Sequence, residues 1–149
     1  MDTEAKSYPL PDGRDIGEAV DSALKASHAA DLRLGRVMAV VTAAAVRDVL
    51  TDCDHDAPFD AEWVEVTETG DGSLFATGWY WSASGERTAF EDVIGDPANK
   101  VFDINEWTPH LDETNREVWQ PISERLPDDS DGRAMWRINL AAAAALPLA

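Results

Sequence analysis

The apolar period changes once along this chain, and that change constrains the fold more than any other feature. From Asp15 to Val49, apolar residues return every three or four positions: Ile16, Val20 and Leu24, then, after Asp31, Leu34, Val37, Met38, Val41, Ala45 and Val49. Such spacing lays an apolar stripe along a helix. Beyond Pro58 the period becomes two. The segments "EWVEVTE" (62–68) and "LFATGWYW" (74–81) alternate on either side of "TGDGS", and Asp-Gly between alternating runs signals a hairpin. A helical pattern followed by strands joined through a tight turn predicts an α+β domain.

Pro9, Pro11 and Gly13 interrupt any regular element, so residues 1–14 read as an arm and 15–149 as a single domain. The helical stretch reads as one helix or as two with a break near His28 to Gly35. Gly35 costs about 1 kcal/mol relative to alanine in a helix, which favours a break or a close contact there. After the hairpin, "SASGER" returns the chain as a third strand through Thr88 and Phe90, "GDPAN" reads as a loop, and "KVFDINEW" as a short strand or the start of a helix. "LDETNREVW" has Asp112 placed to cap a short helix that Pro121 ends. "LPDDSDG" is turn-rich, "AMWRINL" alternates like a strand, and "AAAAAL" favours a helix cut off by Pro147. The expected architecture is one or two N-terminal helices packed on a small antiparallel sheet (hairpin 62–81 plus a third strand), with short C-terminal helices.

A two-residue turn at Asp71-Gly72 sets a testable register: Glu68 opposite Phe75, Val66 opposite Thr77, Val64 opposite Trp79 and Trp63 opposite Tyr80. One sheet face then carries Val64, Val66, Phe75, Trp79 and Trp81 and reads as core. The other carries Trp63, Glu65, Thr67, Leu74, Ala76 and Tyr80, which leaves Trp63 and Tyr80 as candidate contact residues.

A net charge of -17 would favour disorder by itself, but 44% apolar residues and six tryptophans argue for a folded core. The single cysteine, Cys53, excludes an internal disulfide, and the first residues lack an apolar leader pattern, so a cytoplasmic location is expected. The most apolar run, 37–46, falls far short of the ~20 residues that span a bilayer. Direct nucleic-acid binding is disfavoured, because the few lysines and arginines are scattered among more numerous acids.

Motifs for chemistry are sparse. In "DCDHD" (52–56), Asp52, Asp54 and Asp56 match the first positions of a calcium loop, but Ala57 and Trp63 stand where glycine and a bidentate glutamate belong. No metal or cofactor is expected. The acids flanking Cys53 disfavour its thiolate, and no catalytic residue is assigned. Charge distribution says more. Between Arg47 and Arg87 there is no basic residue, while ten acids fall inside: Asp48, Asp52, Asp54, Asp56, Asp60, Glu62, Glu65, Glu68, Asp71 and Glu86.

This clustering suggests a non-catalytic acidic binding protein that engages a basic protein surface, as an inhibitor, an immunity protein or a nucleic-acid mimic. Asp52, Asp54, Asp56, Glu65 and Asp71 would supply charge, with Trp63 and Tyr80 as anchors. Two alternatives use other features. An acidic secretion-type chaperone or structural homodimer would use the apolar helix face or a sheet edge. A small-ligand-binding protein or enzyme would use His110 beside Asp112 and Glu113.

Overall fold

The computed structural model describes residues 7–94 and 103–149, and it shows an α+β fold. Asp12 caps the first helix, its carboxylate accepting the backbone N–H of Arg14, and α1 then runs unbroken from Gly13 to Thr51. No break occurs near Gly35, which instead permits a close contact. A Cβ there would stand 2.8 Å from Cβ of Asn115, closer than two carbons approach. Asn115 is fully buried and fixed on both sides, its Oδ1 accepting the N–H of Asp112 and its Nδ2 donating to the carbonyl of His110.

Five antiparallel strands follow: β1 (Trp63–Glu68), β2 (Leu74–Trp81), β3 (Arg87–Ala89), β4 (Ser123–Leu126) and β5 (Ala134–Asn139), in the spatial order β3-β2-β1-β5-β4. Short helices close the layer over the sheet: α2 (Phe90–Ile94), α3 (Arg116–Trp119) and α4 (Leu140–Ala144), with 3-10 turns at Thr108–His110, Glu113–Asn115 and Gln120–Ile122. Asp112 caps the turn before α3, as its position suggests. "AMWRINL" and "AAAAAL" divide into β5 and α4, with Asn139 as the cap between them. The "GDPAN" loop and the start of "KVFDINEW" lie outside the described residues. The third strand stops at Ala89, and Phe90 already begins α2.

The hairpin register differs from the sequence expectation by one residue. Glu68 pairs with Leu74, Thr67 with Phe75 and Val66 with Ala76; past an irregularity between Val64 and Val66, Val64 pairs with Tyr80 and Trp63 with Trp81. The cause is the turn. Thr69 N–H bonds to the carbonyl of Ser73 and Gly72 N–H to that of Thr69, a three-residue loop closed by Gly72 at φ 86°. The same two bonds recur at Ser82–Glu86, closed by Gly85, and at Asp129–Arg133, closed by Gly132. All three hairpins therefore use one turn design, in which a glycine in the left-handed region adds the extra residue.

One extra residue exchanges the faces of β2. Leu74 and Tyr80 join Val64, Val66, Trp136 and Ile138 in the core beneath α1, where Ala39, Val46 and Val49 meet them. Tyr80 packs on Phe90 with centroids 4.9 Å apart, and Trp119 meets Trp136 edge to face at 5.4 Å. Trp79 and Trp81, expected in the core, are half-buried on the outer face instead.

Candidate functional site

α1 ends against the macrodipole rule. The negative end of a helix favours basic residues, yet the last turn of α1 has none and its C-cap is Asp52. Asp52 and Cys53 both adopt positive φ, at 53° and 62°, a region that costs a non-glycine residue about 1 kcal/mol or more. The bend turns the acidic loop back across the end of α1. Asp54 Oδ1 accepts the backbone N–H of Asp56, and the Asp52, Asp54 and Asp56 side chains stand at the surface.

Beside this bend lies a cleft of about 260 Å³ lined by Ala45, Asp48, Val49, Asp52, Cys53, Asp103, Glu106 and Trp107. Its lining combines carboxylates from two distant segments with apolar surface from Ala45, Val49 and Trp107. Asp48 also meets Arg47 at 3.2 Å and His55 at 3.3 Å. Among the described residues no three His, Cys, Asp or Glu side chains converge as metal ligands. Such a space suits an elongated cation, whose alkyl stem lies on the apolar surface while its charged head reaches the acids.

The other expected site residues lie elsewhere. Glu65 is 1% exposed on the outer sheet face. Both its oxygens are bound by Arg87 at 2.7 Å, and it also accepts Thr77 Oγ1 and Trp81 Nε1. Burial pushes its pKa up, but the Arg87 and Thr77 hydrogen bonds, the Arg87 charge and the Trp81 bond together hold it below the usual value. Glu65 is thus a structural ion pair and adds nothing to an acidic surface. Tyr80, expected on the surface, is in the core, where burial and the nearby charges of Asp60 and Glu86 raise its pKa.

Trp63 is half-buried beneath Arg137, whose guanidinium carbon lies 4.3 Å from the ring centroid and 5.0 Å from that of Trp81. Arg87 stacks likewise on Trp79 at 3.9 Å. These arginines tie the outer tryptophans to the sheet. Asp71 sits in the first hairpin turn, at the far end of β1 from the acidic loop, and accepts Thr69 Oγ1 and Ser73 N–H. Those bonds hold its pKa below the usual range, the Thr69 hydroxyl contributing most.

The His110 group is not assembled. His110 ends a 3-10 turn, exposed, while Asp112 binds Thr114 and Glu113 binds Arg116.

Sequence reading therefore finds the Asp52, Asp54 and Asp56 part of the acidic end and misses Asp103, Glu106 and Trp107. Those three lie some fifty residues downstream, and nothing local in "FDINEW" marks them as neighbours of α1. No helix among the described residues is long and apolar enough to cross a membrane. Comparison with protein-family models, with curated proteins and with solved structures gives no match.

Proposed function

We propose that this is a non-catalytic binding protein whose acidic end, at the C-terminus of α1, receives an arginine or lysine side chain from a basic protein partner. The observation that carries the reading is the cleft itself, which combines Asp48, Asp52, Asp103 and Glu106 with apolar surface that includes Trp107. Trp107 takes the anchoring part first assigned to Trp63 and Tyr80. Asp54 and Asp56 stand outside the cleft and steer a basic partner towards it, a contribution that accelerates association and weakens with salt. Inhibition of a nucleic-acid-binding protein, whose basic surface would otherwise meet phosphates, is one use such a site would serve. A cytoplasmic setting belongs to the same proposal.

The test is a titration of the isotope-labelled protein with an arginine-rich peptide, beside a glutamine-rich peptide of equal length. The expected result is saturable shifts of the Trp107 indole and of the Ala45 and Val49 amides, with the arginine-rich peptide only and with steep salt dependence. Neutralising the cleft with Asp52→Asn, Asp103→Asn and Glu106→Gln should weaken binding roughly tenfold or more. Removing equal charge from the far end of α1 with Asp15→Asn, Glu18→Gln and Asp21→Asn should not. Equal weakening by the two sets would mean diffuse charge attraction and would sink the proposal.

A further inference from the structure

Residues 13–30 of α1 are exposed without exception, and the helix first becomes partly covered at Asp31. At 1.5 Å per residue this is about 27 Å of helix projecting from the domain. A helical segment of this length is marginal in water without packing, and among the described residues its side-chain link to another element is the exposed His28–Glu117 contact at 2.8 Å. Leu24, 64% exposed, flanks a line that its other large apolar residues share. Ile16, Val20, Ala23, Ala30 and Leu34, with the small Ser27 between the two alanines, alternate four and three residues apart, the spacing of a coiled-coil seam. Ile16 is 40% exposed, Val20 49% and Leu34 39%, so the large members lie bare at the surface.

Charge along this segment selects the occupant. Residues 13–24 hold Arg14 against Asp15, Glu18 and Asp21, a net -2, whereas residues 25–36 hold Lys25, Arg33 and Arg36 against Asp31, a net +2. Two copies side by side in parallel would set like charge against like. Turned antiparallel, each acidic half faces the other copy's basic half, and the helix dipoles also oppose favourably.

We propose that residues 13–34 of α1 pair antiparallel with the same segment of a second copy of this chain. The seam spacing fixes the register: Ile16 lies opposite Leu34, Val20 opposite Ala30 and Ala23 opposite Ser27. Small side chains at the centre, alanine against serine, bring the helix axes close, and the larger residues close the two ends. The domains then lie at opposite ends of the pair, and the α1 residues of each acidic cleft, Ala45, Asp48 and Val49, lie beyond the last seam position at Leu34. The assembly is thus separate from the cleft and independent of what the cleft binds.

Sedimentation equilibrium of the full chain over a wide concentration range should show a monomer–dimer equilibrium. Ile16→Glu with Val20→Glu should raise the dissociation constant roughly a hundredfold or more, because two seam positions on each chain become charged. Near-UV circular dichroism should stay unchanged, since neither side chain touches the domain. Direction is read by disulfide capture in a Cys53→Ser background. Oxidising a mixture of Ile16→Cys and Leu34→Cys chains should link unlike chains, while Ile16→Cys alone stays unlinked, its two thiols about 27 Å apart along the seam. A chain monomeric at every concentration overturns the proposal, as does efficient self-linking of Ile16→Cys.

Discussion

From Asp31 onward α1 packs against its own domain and buries Gly35, Ala39, Thr42, Val46 and Val49, whereas residues 13–30 of the same helix are bare. Both halves show an apolar residue every three or four positions. The bare stripe of the first half and the buried line of the second nevertheless lie roughly 100° apart around the helix axis. In the second half the stripe seen in the sequence, Leu34, Val37 and Val41, runs beside the buried line, which includes Gly35, Ala39 and Thr42. Periodicity tells which residues share a face of a helix; it does not tell which neighbour covers that face.

The contrast breaks or holds most sharply on one substitution made in each half. Val46→Asp places a carboxylate where the native side chain has no exposure. It should cost about 4–5 kcal/mol, a large part of the stability of a domain this size. Val20→Asp, made at a protein concentration low enough to keep the chain monomeric, should change stability by less than about 0.5 kcal/mol. Urea unfolding followed by tryptophan fluorescence measures both. A Val20→Asp cost close to that of Val46→Asp would mean that the first half packs on its own domain after all.

Glycines sharpen the same comparison at smaller magnitude. Gly17 has open space around it, while a Cβ on Gly35 meets Asn115 at 2.8 Å. Gly17→Ala should therefore stabilise by roughly 0.5–1 kcal/mol through helix propensity alone. Gly35→Ala should destabilise by about 1–3 kcal/mol, because Asn115 is held by two hydrogen bonds and cannot step aside without breaking one. Opposite signs from one substitution type in one helix would locate where packing begins.

What was legible in the sequence divides along the same physical line. The class of fold, the helix, the first two strands and the cap at Asp112 rest on local signals, and the structure shows them. The register depended on one turn residue. With a two-residue loop, Tyr80 faces out; with the loop that Gly72 closes, it faces in, and no hydrophobic pattern decides between them because both faces of β2 carry aromatics. The strand Ser123–Leu126 leaves no signal in the sequence because it is a four-residue edge strand carrying Glu124 and Arg125, with no apolar alternation. The acidic loop was visible as composition, but its partners Asp103, Glu106 and Trp107 come from a segment that only the folded chain brings near.

The smallest expected effect lies at the end where α1 stops. Cys53 is exposed and sits at φ 62°, so its side chain contributes no core packing while its backbone holds a conformation that glycine adopts without strain. Cys53→Gly should stabilise by about 0.5–1 kcal/mol, read as a rise in melting temperature of roughly 2–4 °C at the upper end. Were the bend only a helix stop, the arginine-rich peptide would bind the variant as it binds the native chain. If the two left-handed residues instead hold Asp52 at the cleft wall, glycine loosens that wall, and affinity falls while stability rises. Affinity and stability moving in opposite directions would mark the strained bend as part of the binding site, and a joint rise would confine its role to ending the helix.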